Sequence, residues 1–95
     1  MQETDAATLR QWLQQDSPPV LLDVREPGER AAFHIGGLHI PLSQITRLAE
    51  QIPANRPVVV YCRKGIRSQI AIQRLETRFG YTNLVNLKNG LQEWK

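Results

Sequence analysis

Apolar residues recur along this chain at two different periods, and the alternation between them predicts the fold. In "TDAATLRQWLQQ", Ala6, Leu9 and Leu13 share one face at helical spacing, with Thr4 or Asp5 placed to cap the helix. "DSPP" ends that helix, since two prolines cannot supply the N–H groups of a further turn. "VLLDV" (20–24) is a short continuous apolar run and reads as a buried strand. "EPGERAAF" reads as a turn leading into a short helix, and "LHIP" as a second brief strand closed by Pro41. "LSQITRLAEQI" repeats apolar residues at Leu42, Ile45, Leu48 and Ile52, predicting a helix that Pro53 ends. "PVVVYC" holds three consecutive β-branched valines and is the strongest strand signal. "RSQIAIQRLETRFG" returns to helical spacing through Ala71, Leu75 and Phe79, and Gly80 suits the left-handed position after a helix. "TNLVNL" is a last strand and "GLQEWK" a final helical turn.

Strands alternating with helices predict the α/β class with a mainly parallel sheet. No repeat or linker interrupts the 95 residues, so 1–95 is expected to form one domain. In such sheets, sites lie where strand carboxyl ends meet helix amino ends. "VVVYC-RKG-IRSQ" is a junction of that kind, and it holds the only cysteine, Cys62.

Composition narrows the class. A hydrophobic content of 41% and a charged content of 22% are ordinary for a globular protein. No apolar run approaches the roughly 18–20 residues that span a bilayer, so no membrane role is expected. The first residues lack a basic segment followed by an apolar one, so no secretory signal is expected, and a single cysteine allows no intrachain disulfide. The cytoplasm is the expected compartment. Charge matters through its placement. Between Arg56 and Arg78 stand six cations against one acid, Glu76, so this segment carries +5 of a net +3 and leaves −2 elsewhere. A local positive field points to a small anion or an acidic partner face. Nucleic acid is disfavoured, because no binding motif or interleaved aromatics accompany the charges.

A lone cysteine behind a strand is ordinarily a buried packing residue. Here the surroundings favour chemistry. Arg63, Lys64 and Arg67 place positive charge near Cys62, and the amino end of the following helix adds unsatisfied N–H groups. Gly65 allows a positive φ, so that several N–H groups can converge on one point. Ser68 is placed to cap the helix or to hydrogen-bond the sulfur. Such a setting favours a thiolate in an electropositive, partly exposed position.

Three segments in this order and spacing, "LLDVREPGERAAFHIGG-LHIPL", "VVVYCRKGIRS" and "NLKNGLQEWK", resemble the single-domain rhodaneses, which are sulfurtransferases. The resemblance runs from about Val20 to the end and implies a rhodanese-like three-layer α/β fold, about five mostly parallel strands flanked by helices. It implies a loop of Arg63, Lys64, Gly65, Ile66 and Arg67 cradling the sulfur of Cys62, and a double displacement. The thiolate takes sulfane sulfur from thiosulfate or a similar small anionic donor, becomes a persulfide, and passes that sulfur to cyanide, a small thiol or a protein thiol. No metal or organic cofactor is implied. The alternative within the family is a sulfur-carrier or protein-binding module with little turnover of its own.

The fold is also similar to that of dual-specificity phosphatases and some arsenate reductases. Their loops place arginine six positions after the cysteine and usually histidine before it. Here Arg67 stands five positions after Cys62, Ser68 is sixth, and Tyr61 precedes, which suits a sulfane sulfur better than a tetrahedral oxyanion.

Asp23 and Arg25 match the family's D-x-R and are implied to be structural anchors, with Glu29 joining their network. His34 is expected in a structural turn rather than in a Cys–His pair, and His39 has no assigned role. Two histidines and one cysteine without clustered spacing make a poor metal site. Trp94 is expected to pack in the core, and Trp12 carries no functional reading. Three departures from the family pattern stand out. "HIGGLHIP" is one residue short, Asn89 replaces a common glycine, and little follows Trp94.

Overall fold

A computed structural model of the chain describes residues 1–94. Its elements are β1 (Gln2–Thr4), α1 (Ala6–Trp12), β2 (Val20–Asp23), α2 (Pro27–Ala32), β3 (Leu38–His39), β4 (Val58–Tyr61), α3 (Ile66–Phe79) and β5 (Leu84–Leu87). Single 3-10 turns occupy Leu42–Gln44, Ala49–Gln51 and Gly90–Glu93. The five strands form one sheet in the order β1-β5-β4-β2-β3, and every neighbouring pair is parallel. This is the three-layer α/β arrangement the sequence implies.

Strand β4 lies at the centre and is buried on both faces, which is why its valines run without alternation. Val58, Val60 and Cys62 face a core formed with Leu22, Leu84 and the α3 residues Ala71, Ile72 and Leu75. Val59 and Tyr61 face the opposite core, with Leu9 of α1, Leu21, Val85 and Leu87. Each fully buried aliphatic side chain contributes about 1.5–3 kcal/mol, against about 1 kcal/mol for a helix cap, so packing sets the architecture. The caps fix the ends. Asp5 accepts from the Thr8 N–H at 2.8 Å, and Gly80, at φ +73°, closes α3.

Three expectations change. Residues 42–52 form two 3-10 turns, not one helix: Ile45, Gln51 and Ile52 donate three residues back, and only Leu48 donates four back, to Gln44. Leu42, Ile45 and Leu48 recur in steps of three, the period of 3-10 winding, and β-branched Ile45 and Thr46 disfavour an α-helix at that point. The Tyr81 hydroxyl lies 2.6 Å from the Ala49 carbonyl, which also accepts the Ile52 N–H, and 2.9 Å from the Ile52 carbonyl, so it ties the end of the second turn to the chain after α3. Phe79 is exposed, and the buried stripe of α3 is Ser68, Ala71, Ile72 and Leu75. Strand β1 has no counterpart in the apolar pattern because Gln2, Glu3 and Thr4 are polar; its pairing with β5 rests on backbone bonds.

Candidate functional site

Strand β4 ends at Tyr61, and the chain turns through Cys62–Gly65 into α3. The turn depends on Gly65, whose φ is +90°. A side chain there would also crowd the Asn89 nitrogen at 3.0 Å and the Leu87 carbonyl at 3.3 Å. The loop closes around sulfur. Cys62 Sγ accepts hydrogen bonds from the backbone N–H of Gly65 (3.1 Å) and of Ser68 (3.4 Å), and Ser68 Oγ lies 3.4 Å away. From the other side the Leu91 N–H donates to the carbonyls of both Cys62 and Arg63, at 3.0 Å each. The loop is thus held on two sides before any ligand arrives.

Cys62 is 1% exposed, so the expected partly exposed cysteine is instead a buried one at the floor of a pocket. That pocket has a volume of about 300 Å³ and is lined by Glu29, Cys62, Arg63, Lys64, Ile66 and Arg67. The sulfur is buried because it completes the α3-side core as β4 ends, while the loop side chains turn outward. Ile66 is 63% exposed beside the pocket.

Arg67 does not lie free. Its Nη1 and Nη2 donate to Glu29 Oε1 and Oε2 at 2.7 and 2.8 Å, a forked pair of the strong kind. These bonds, foremost, hold the Glu29 carboxyl down at about 2 and raise the Arg67 guanidinium further. Arg63 and Lys64 have no ion-pair partner among the described residues, so they are the uncompensated cations beside the sulfur.

Glu29 therefore departs from its expected place in the Asp23–Arg25 network. Arg30 occupies that place. Asp23, fully buried, accepts from the Arg25 backbone N–H, from Arg25 Nε and Nη2, and from Arg30 Nη1. Arg25 Nη2 also donates to the Phe33 carbonyl at 2.6 Å, and Arg30 Nη2 to that of Gly37 at 2.9 Å. These bonds fasten α2 to the end of β2, and Glu29 itself caps α2 at the Glu26 N–H. The same helix then presents Glu29 to Arg67. His39 Nε2 donates to the Arg25 carbonyl (2.8 Å), and His34 Nδ1 accepts from the Gly36 N–H (2.9 Å), a turn contact. Tyr61 donates its hydroxyl to the Gly36 carbonyl at 3.0 Å, and burial keeps that group neutral by raising its pKa. Trp94 packs, partly buried, against the α1-side core with Trp12, and Arg10 stacks on its ring at 4.2 Å.

The Glu29–Arg67 pair has a testable acid limit. Because the folded Glu29 carboxyl lies near 2 and its ordinary value is 4.5, the pair's stabilisation is complete above about 4.5 and disappears as pH falls through about 2. An NMR titration of the Glu29 carboxyl carbon is expected to show that low midpoint in the wild type and a return toward 4.5 in Arg67→Ala. A midpoint unmoved by the substitution would contradict the assignment.

Sequence reasoning brings Cys62 and its loop together but misses Arg30, Asn86, Glu3 and Gly90. Only Asn86 leaves a signal, as a polar residue inside the apolar "LVNL". No group of three or more metal-ligating side chains gathers among the described residues, and no helix among them is long and apolar enough to cross a membrane.

Comparison with known proteins places this geometry. The family profile "Rhodanese-like domain" matches residues 5–95. A protein named "Sulfurtransferase" from Allochromatium vinosum is 37% identical over 93 residues, covering 97% of this chain and 86% of that protein. "Uncharacterized protein YqhL" of Bacillus subtilis is 43% identical over 75 residues, covering 78% of this chain but only 59% of its own length. The crystal structure of a rhodanese-like domain protein from Staphylococcus aureus superposes with a TM-score of 0.92 at 26% identity, covering 100% of this chain and 92% of that one. A parallel five-stranded sheet, a cysteine at the central strand's end and a profile match across nearly the whole chain agree: the protein belongs to the rhodanese-like domain family.

Proposed function

We propose that this protein is a sulfurtransferase in which Cys62 carries sulfane sulfur as a persulfide. The observation that carries the reading is the Cys62 sulfur at the floor of a small pocket, receiving two backbone N–H groups beside the uncompensated Arg63 and Lys64. Backbone donors fixed in advance stabilise negative charge on sulfur without reorganisation. The cations draw in an anionic donor. In the first half-reaction the Cys62 thiolate attacks the outer sulfur of thiosulfate or a similar donor. The donor's S–S bond breaks, sulfite leaves with its electron pair, and Cys62–S–S⁻ remains. In the second, cyanide or a thiolate attacks the terminal sulfur, and Cys62 departs as thiolate. The cysteine supplies the only carrier this chemistry requires, so no cofactor takes part. The name of the Allochromatium relative supports the reading, and the cytoplasm is the compartment that suits a free thiol.

In this scheme Gly65 and Ser68 hold the sulfur, Arg63 and Lys64 attract the donor, Ile66 lines the entry, and Arg67 with Glu29 forms the pocket wall. A second reading, sulfur carriage to a protein thiol with little turnover, is favoured by one feature. A further groove of about 430 Å³ shares Glu29 and Arg63 with the pocket and is lined also by Phe33 and Leu91. Phe33 is half-exposed, an apolar foothold for a polypeptide acceptor. Assaying thiocyanate from thiosulfate and cyanide tests the main reading. The wild type is expected to turn over and Cys62→Ser to give none. No thiocyanate from the wild type with any of several donors would overturn it.

A further inference from the structure

Asn86 is the polar member of an otherwise apolar β5, and it is fully buried. A buried amide needs partners for both its ends, and this one has two of different kinds. Nδ2 donates to Glu3 Oε2 at 3.1 Å, and Oδ1 accepts from Ser68 Oγ at 2.5 Å. Glu3 and Asn86 stand opposite each other in the β1–β5 register, so the first contact follows from strand pairing. An ionised carboxylate only accepts hydrogen bonds. Glu3 therefore admits only the NH₂ end of Asn86 and fixes which way the amide points.

The consequence runs toward the sulfur. Ser68 faces a carbonyl oxygen, so its single hydroxyl proton is directed to Asn86. Its lone pairs are what remain for Cys62 Sγ, 3.4 Å away. A thiol meets this acceptor well, by donating its S–H. A thiolate does not: either Ser68 presents lone pairs to an anion, or it turns its proton to the sulfur and leaves Asn86 Oδ1 buried without a donor, an arrangement that is disfavoured. The charged groups lining the pocket around Cys62 are Arg63 and Lys64 of its loop, Arg67 of α3 and Glu29 of α2. Glu3 of β1 reaches it only through the two side chains.

We propose that Glu3 is a positioning residue for Cys62: it sets the direction of the Asn86–Ser68–Cys62 hydrogen-bond chain and so restrains ionisation of the resting thiol. The restraint acts on the free cysteine, since a persulfide has no proton on Sγ to place. It holds whichever donor loads the sulfur.

The test is Glu3→Gln, an exposed change on the edge strand. The introduced side-chain amide can accept from Asn86 or donate to it, so the asparagine is no longer held one way. When the thiolate forms, the asparagine can turn without losing a partner; its Nδ2 then bonds Ser68, and the Ser68 hydroxyl is released to the sulfur. Thiolate is read by its ultraviolet absorbance against a Cys62→Ser reference. On the acid limb of the titration the thiolate fraction is expected to rise about fivefold, the size of one neutral hydrogen bond. The alkaline plateau stays the same, and Glu3→Gln adds nothing when Ser68→Ala is also present. Identical titrations for the wild type and Glu3→Gln would overturn the proposal. So would a gain that persists without the Ser68 hydroxyl, which would mark a charge acting through space. Should the double variant fail to fold, Glu3→Gln alone in about 1 M salt decides, because screening at about 3 Å removes a surface charge effect and leaves a hydrogen-bond effect in place. The measurement needs no sulfur donor, so its outcome is separate from that of the thiocyanate assay.

Discussion

Asp23→Ala is expected to lower stability by about 3–5 kcal/mol, the cost of leaving a buried charge without its partner. Arg25 is 5% exposed and Asp23 0%, so the guanidinium cannot turn to water when the carboxylate is removed. The change deletes an acceptor of four hydrogen bonds at once, two from Arg25 side-chain nitrogens, one from its backbone and one from Arg30. Against a total of about 5–15 kcal/mol for a domain, such a loss shifts the urea midpoint far down. Function should fall too, because α2 loses its fastening to β2 and Glu29 no longer meets Arg67 in a fixed place. A loss below about 1 kcal/mol by urea unfolding, a value ordinary for a surface pair, would contradict the role given to this network.

Gly90→Ala is expected to be as damaging, by a different mechanism. Gly90 lies directly beneath the sulfur loop at φ +56°. A methyl group there would press into the Cys62 carbonyl oxygen and stand 2.5 Å from the Arg63 carbonyl carbon, both backbone atoms of the loop. Backbone cannot rotate aside as a side chain can, so the loop must move or the β5 end must. Overpacking costs about 1–3 kcal/mol and a left-handed alanine about 1–2 more, for a loss near 3 kcal/mol. The Leu91 N–H would lose its two loop carbonyls, and sulfur transfer should fall close to background. Gly28→Ala serves as the control, since nothing lies within 4 Å of the added methyl, and it is expected to be near neutral. Equal melting curves for Gly90→Ala and Gly28→Ala would contradict this account.

What the sequence makes legible depends on distance along the chain. The valines of β4 and the stripe of α3 announce themselves locally, because a buried strand and an amphipathic helix each imprint a period on their own residues. The sulfur loop is legible for the same reason: Cys62, Gly65 and Ser68 are near neighbours, and counting positions is enough. Contacts set by topology leave no local trace. Glu29 meets Arg67 across 38 residues and Glu3 meets Asn86 across 83, and neither pairing can be read until the sheet order is known. Sequence reasoning accordingly places Glu29 with the nearer Asp23, the position that Arg30 fills. The same limit hides β1, a polar edge strand joined to β5 by backbone bonds and by the Glu3–Asn86 side-chain contact, with no apolar pattern of its own. Gly90 stands inside a recognised segment, yet its closeness to the Cys62 carbonyl is a fact of three dimensions. Asn89 before it adopts φ +65°, a conformation asparagine tolerates better than most residues, which accounts for its taking a glycine's place.

The central claim is that Cys62 itself bears the transferred sulfur. Intact-mass measurement after incubation with thiosulfate tests it most directly. The wild type is expected to gain the mass of one sulfur atom, to lose it on addition of cyanide, and to show neither change as Cys62→Ser. A wild-type mass unchanged by every sulfane donor, or a sulfur adduct that survives in Cys62→Ser, would contradict the account.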